Sequence, residues 1–350
     1  MKTYFYSFFL LILTSCLSPS GTSMVGLFDV QRQEDPQPLS IETDSIRNPY
    51  LMTYHQGLLV FGNIHAPYFI SVFDGETGKF LGDCASRGAG PEEFIHLGGL
   101  ASVRDKLGLW DAGKSTVALA RIDRHQPAAS AFEFQKMQED SSLVAVFQVA
   151  PVREDLFVAA GIVRGHRFAL MDGQGRVVGG FGEYPEGHDV QNSDMENGFV
   201  YQSLLATQGE RSLLAAATAM GESIQFYDLS DKDNPVLVRE FTFGHPLYNR
   251  TGDQEQPIVF DAKNPDGFID LKATPDYCVG LFSGEARTDL RAYGGDKILI
   301  FDWDGNPVKF ITLGQSYTNL AVDAEKNRIL LLSVQPETGD FVVSGISLSE

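Results

Sequence analysis

FISVFDGETGKFLG, residues 69–82, is a β-hairpin written out in sequence. An apolar, β-branched and aromatic run ends at Asp74. Gly75 and Gly78 supply the turn, and a second apolar run returns. RFALMDGQGRVVGGFG (Arg167–Gly182) and ILIFDWDGNPVKFITLG (Ile298–Gly314) are close copies of this unit. VALARIDRHQPAASAFEF (Val117–Phe134) and IQFYDLSDKDNPVLVREFTFG (Ile224–Gly244) are looser ones. The aspartates that end the first run stand at 74, 123, 172, 228 and 302, in steps of 49, 49, 56 and 74. A period of about 40–50 residues is the mark of a blade-type array.

Working outward, each hairpin is preceded by another short apolar run: 57–62, 106–111, 155–161, 212–218, 278–284 and, for a sixth unit, 329–334. Before each of these lies one more: 49–54, 97–103, 143–149, 200–206, 268–273 and 317–323. The sixth unit ends on FVVSGISL (341–348) and has no fourth strand. The segment PLSIET (38–43) is the expected replacement, because a strand borrowed from the other end of the chain closes a ring and removes its free edge. Residues 39–350 number 312, or 52 for each of six units. The fold class expected is therefore an all-β, six-bladed β-propeller of four-stranded antiparallel blades, closed by an N-terminal strand. Trp110-Asp111 and Trp303-Asp304 fall at different points of the repeat, so they do not signal a WD40 array.

Three segments follow in chain order. Residues 1–15 form a lipoprotein signal peptide: Lys2 gives the positive end, and the apolar run Tyr4–Leu13 is too short for a typical membrane span. Leu13-Thr14-Ser15-Cys16 resembles a bacterial lipobox, which implies cleavage before Cys16 and lipidation of its thiol. Residues 16–37, rich in Ser, Pro, Gly and Gln, are expected to be a flexible tether. Residues 38–350 are the propeller. Leu17 after the cysteine, by resemblance to enteric lipoproteins, favours an outer membrane lipoprotein facing the periplasm. Cys84 and Cys278 fall in blades one and five, too far apart to bridge, and are expected as buried free thiols.

The net charge of −19 makes nucleic acid a poor partner. No G-x-S-x-G, H-E-x-x-H, P-loop or C-x-x-C stands in the chain, so nucleophilic catalysis has no support. The lipobox, the six units and the turn SRGAGPEEF (Ser86–Phe94) together resemble the TolB-like six-bladed propeller lipoproteins common in the Bacteroidetes, neighbours of the NHL-type propellers. The resemblance covers roughly residues 38–350, and the turn carries it at Gly88, Gly90, Pro91, Glu93 and Phe94. That turn is structural in character: two glycines permit positive φ, proline stiffens the exit, and Phe94 can bury between blades.

Ligands of propellers usually meet the face carrying the second-to-third-strand loops and the crossovers between blades. Arg164, His166, Arg287, Arg291 and Arg87 put positive charge on that face, where Arg suits carboxylates and acidic sugars through two-pronged hydrogen bonds. The same arginines serve equally as struts between blades. Two crossovers, 182–199 and 244–267, are long enough to form a lid. His188, Asp189 and Asp194 in the first are metal-ligand candidates without a recognised spacing. The functional expectation is a lipid-anchored binding or interaction module of the envelope. Its partners would be the membrane, through the anchor, and a small molecule, a glycan or an envelope protein. No cofactor is predicted. The alternative is a propeller hydrolase or lyase drawing a divalent metal's ligands from several blades.

Overall fold

The computed structural model describes residues 23–286 and 293–348. It is a ring of six four-stranded antiparallel blades with the strands in sequential order from the axis outward. Blade 1 comprises Pro49–His55, Leu58–Asn63, Tyr68–Asp74 and Phe80–Ser86. Blade 2 comprises Leu97–Val103, Lys106–Asp111, Thr116–Ala120 and Phe132–Lys136. Blade 3 comprises Leu143–Arg153, Leu156–Val163, His166–Asp172 and Val177–Phe181. Blade 4 comprises Ser203–Gln208, Leu213–Thr218, Glu222–Asp228 and Val236–Gly244. Blade 5 comprises Phe268–Ala273, Tyr277–Phe282, Gly295–Asp302 and Pro307–Tyr317. Blade 6 has Asn319–Asp323, Arg328–Val334 and Phe341–Ser347 from the C-terminal end, and Gln37–Pro38 as its fourth strand.

The repeated aspartate earns its place through the turn it caps. Asp74 Oδ1 accepts hydrogen bonds from the N–H groups of Glu76 and Thr77, and Asp172 Oδ1 from those of Gln174 and Arg176. Asp302 Oδ1 accepts from Asp304 and Asn306, Asp228 Oδ1 from Ser230, and Asp123 Oδ1 from His125 and Gln126. Such side-chain-to-backbone bonds offer the chain a turn where it would otherwise continue as a strand. The partner glycine does two things. Gly78, Gly175 and Gly305 have φ of 70°, 74° and 75°, and each also presses on the preceding blade. A Cβ at Gly78 would lie 2.0 Å from the Ser40 carbonyl oxygen, and one at Gly175 2.3 Å from that of Lys136. The hairpin that repeats in sequence is thus the part that locks one blade onto the one before it.

Among the described residues the apolar side chains of the blades form six clusters, one for each junction between neighbouring blades. Phe94 is fully buried between blades 1 and 2, with its ring centroid 5.4 Å from that of Phe132 and 5.3 Å from that of Phe134. The turn before it is held by Glu93, whose carboxylate accepts the Gly90 N–H at 2.7 Å. Cys84 and Cys278 are buried free thiols, and burial pushes the Cys84 thiol up to about 12.

Two expectations about the N-terminal segment need correction. The closing strand is shorter and earlier than 38–43. Gln37 and Pro38 pair with Gly345 and Ser344, Leu39 N–H adds a bond to the Val343 carbonyl, and the chain then turns so that Glu42 N–H reaches Gly78 of blade 1. Nor is 23–37 a tether. Met24–Leu27 is a 3-10 turn capped by Ser23, and Gln31–Glu34 adds a fifth, parallel strand to blade 5 against Phe310–Leu313. Met24 and Phe28 are buried in the junction of blades 4 and 5, and Met24 N–H donates to Glu222 at 2.8 Å. The segment therefore straps blade 5 before it completes blade 6. The signal was the apolar run Met24-Val25-Gly26-Leu27-Phe28, which the polar composition of the flanking residues masks. The expected signal peptide (1–15) and Cys16 lie outside the described residues.

Candidate ligand-binding site

All six inner strands line the central channel, through Thr53, Ser102, Ala150, Thr207, Lys272 and Val322 among others. Its free volume is about 60 Å³, room for only a few waters and none for a sugar. Lys272, its cation, is already paired with Asp270. The channel opens into a funnel of about 220 Å³ on the face of the first-to-second-strand hairpins, beside Arg104, Thr207 and Glu210.

A larger site stands over blades 3 and 4, on the opposite face. It is built from the two long crossovers, 182–202 and 245–267. The first contains the chain's only α-helix among the described residues, Asp194–Val200, started by a capping box in which Ser193 and Glu196 exchange hydrogen bonds. The second contains a small hairpin, Tyr248–Arg250 paired with Ile258–Phe260. Val200, Tyr201 and Ile258 form a buried cluster, flanked by Tyr184, Phe199 and Tyr248, that holds the crossovers together. Arg250 clips their outer edge: its guanidinium donates to Asp189 at 2.7 Å, to Glu196 at 2.8 Å and to Asn192 at 2.5 Å. Between them is an open cleft of about 520 Å³, lined by Asp189, Tyr201, His245, Tyr248, Asn249 and Arg250 among others. That volume lies in the range of small-ligand sites, about 300–1,000 Å³. Two grooves of about 570 Å³ lie elsewhere, but neither is lined by a histidine or an arginine.

His245 lines the cleft. Its Nδ1 is 3.2 Å from the Tyr201 hydroxyl, and a Cβ on Gly187 would come within 3.0 Å of its Nε2. Burial, and then repulsion from His188, lowers its pKa, so it stands neutral at neutral pH. Arg167, only 2% exposed, bridges blade 3 to blade 4. Its Nη1 donates to Gln225 at 2.6 Å and its Nη2 to Ser203 at 3.0 Å. Gln225 in turn accepts from the Tyr227 hydroxyl and donates to Glu240 at 2.9 Å, relaying the charge to a carboxylate one side chain away.

Of the residues expected from sequence, the described ones do not line the channel. Arg164 is exposed and donates to the Ser141 carbonyl at 2.9 Å. His166 is also exposed, with its ring over Gly180 of its own blade. Arg87 lies 4.0 Å above the Phe69 ring and donates to the Ala66 carbonyl, all within blade 1. Arg287 and Arg291 lie outside the described residues. The His188 ring lies tilted beside that of Tyr184, Asp189 is paired with Arg250, and Asp194 accepts from the Gly165 N–H. Among the described residues no group of three His, Cys, Asp or Glu side chains is placed to hold a metal ion. Sequence reading missed Arg167, Tyr184, Tyr201 and Arg250. For Arg167 a signal existed: a charged residue opening the apolar run FALM, where a strand between two blades has no water for it.

Comparisons agree with this architecture. A profile of TolB-like six-blade propellers matches residues 31–325. No curated protein matches the chain. Among solved structures, a member of the DUF4221 family from Bacteroides vulgatus superposes with a TM-score of 0.53 at 11% identity. That match covers 89% of this chain and 96% of the other. A protein of Bacteroides fragilis assigned as exported gives 0.53 at 8% identity, over 91% and 98%. At these identities the structural likeness speaks for the fold alone, whereas the profile match spans most of the sequence. The chain belongs to the TolB-like six-bladed propeller family.

Proposed function

We propose that the protein is an exported, lipid-anchored binding module of the cell envelope, held at the outer membrane through Cys16 and facing the periplasm. Its working surface is the cleft between the two long crossovers. The observation that carries this reading is the convergence of Tyr201, His245, Tyr248, Asn249 and Arg250 around a cleft of about 520 Å³, while the channel holds about 60 Å³. Aromatic rings with a few polar groups suit a sugar or another small polar molecule better than an extended protein surface. The lipobox and the likeness to a propeller assigned as exported support the address. No helix among the described residues is long and apolar enough to cross a membrane, and acyl chains on Cys16 would supply the attachment instead.

The anchor is tested by Cys16→Ala, which should move the protein from the membrane to the soluble fraction. Retention of an exported variant on the membrane refutes that half of the reading. The cleft is tested by screening the purified protein against glycans and small envelope metabolites by calorimetry. His245→Ala should abolish whatever binding is found, with little change in the melting temperature. Binding that survives His245→Ala places the working surface elsewhere.

A further inference from the structure

The mouth of the channel, on the face opposite the crossovers, brings two reactive side chains together. The inner strands of blades 1 and 2 end there, at His55 and at Val103. His55 Nδ1 lies 2.8 Å from the Ser102 hydroxyl, a contact made across 47 residues of chain and so invisible to any sequence motif. The two partners differ in exposure. His55 is only 2% exposed, whereas Ser102 is exposed. Ser102 borders both the channel of about 60 Å³ and the funnel of about 220 Å³. The His55 ring also hydrogen-bonds the Asp105 backbone, in the sense that favours a proton on the ring, so it is the donor there. With that N–H committed, Nδ1 of the neutral ring accepts the Ser102 O–H. Burial holds the His55 pKa below its ordinary value, against this bond and the Asp105 charge, so the ring is neutral at neutral pH and able to take a proton.

An exposed hydroxyl bonded to a buried, oriented and neutral imidazole is the arrangement that activates a serine. A bond that only joined blades 1 and 2 would require neither the accessible oxygen nor the funnel in front of it. Arg104 lines the same funnel, and no ion pair or hydrogen bond holds its guanidinium among the described residues. It is available to the negative charge that develops on a carbonyl oxygen under attack. Val103, Pro151, Val152, Ala273 and Pro275 give the funnel apolar walls, and its size limits an acyl group to a short one. The channel on the other side of Ser102 has room for a few waters, which hydrolysis consumes.

We propose that Ser102 and His55 are a nucleophile and general base that hydrolyse small carboxylic esters at the channel mouth, with Arg104 facing the oxyanion. Water is the only co-reactant. The Ser102 Oγ bonds to the acyl carbon while His55 Nδ1 takes the hydroxyl proton. The bond from that carbon to the alkoxy oxygen then breaks, and the proton leaves with the alcohol. Water attacks the acyl-serine and gives a proton to His55. The bond to Oγ breaks, the proton returns to Ser102, and the acid departs. This activity is independent of the cleft on the other face, so either can fail without the other.

Two probes test the pair in the intact protein. Diisopropyl fluorophosphate should phosphorylate Ser102, read by peptide mass spectrometry, with fluoride leaving as the new P–O bond forms. Hydrolysis of p-nitrophenyl acetate should saturate with ester concentration. Ser102→Ala changes an exposed position, so it should keep the parent's melting temperature yet lose both reactions. His55→Gln should slow both about a hundredfold, the contribution of a general base. Because His55 is buried and its replacement can cost stability, the pH profile of the parent supplies an independent readout. The rate should rise through one ionisation below the ordinary histidine value of about 6.5 and be level at neutral pH. Absence of the phosphoryl group from Ser102, or ester hydrolysis unchanged in Ser102→Ala, overturns the proposal. So does a rate that climbs in proportion to hydroxide through neutral pH into the alkaline range, because that marks a serine without a general base.

Discussion

Phe28→Ala separates a docked strap from a tether. Phe28 is 4% exposed. Its ring sits edge-on to Phe301, with centroids 5.1 Å apart, and 6.3 Å from Phe310. Truncating a buried phenylalanine costs about 3–5 kcal/mol. The strap adds to the outer edge of blade 5, so a second outcome competes with global unfolding: residues 23–34 can peel off while the ring persists. The loss of global stability is then capped at the free energy of docking the strap, held by the Met24 bond to Glu222 and the short parallel ladder on Phe310–Leu313. Two assays cover both cases. The urea midpoint reports the ring. Trypsin cleavage after Arg32, inside the ladder, reports the strap. A loss of about 3 kcal/mol raises the open fraction more than a hundredfold. Val30→Ala is the control, because Val30 is 50% exposed on the same segment and should move neither readout much. If Phe28→Ala behaves like Val30→Ala in both assays, the strap is not docked and the junction of blades 4 and 5 has been misread.

Two further outcomes follow from the repeat. Hydrogen bonds from Thr77 and then Glu76, with the Arg124 ion pair, hold Asp74 down to about 2 against the opposing effect of burial. Its stabilising contribution is therefore fully present above the unfolded value of about 4 and is lost as pH falls through about 2. Asp74→Asn should flatten the fall in stability across that window, measured by urea titration at a series of pH values. Parallel curves for variant and parent would show that the turn does not depend on the charge. Gly78→Ala should lower the melting temperature more than Gly165→Ala. Both have φ of 70° and share a conformational cost of about 1–2 kcal/mol, but only at Gly78 would the new Cβ meet the Ser40 carbonyl. Equal losses would remove the role in blade locking.

Most of the ring was determined by sequence, because its information is local. A strand needs an apolar run, a hairpin needs an Asp and a Gly, and the unit repeats, so each copy supports the others. The inner strand Leu97–Val103 and the strand ending at Asp302 fall where the repeat places them. Phe94 could be assigned to a blade junction for the same reason. The site resisted sequence reading because it depends on distance across the fold. Tyr184 and Tyr201 belong to one crossover and His245 and Arg250 to the next, while Arg167 comes from the strand beneath; no spacing in the chain relates them. Arg164 and His166 read as site residues because they occupy a loop tip, yet it is the next residue, Arg167, that turns inward. Side chains alternate along a strand, so a shift of one position exchanges water for the interior. The strap shows the same limit: MVGLF is apolar in sequence, but only the tertiary structure supplies the groove between blades 4 and 5 that buries Met24 and Phe28.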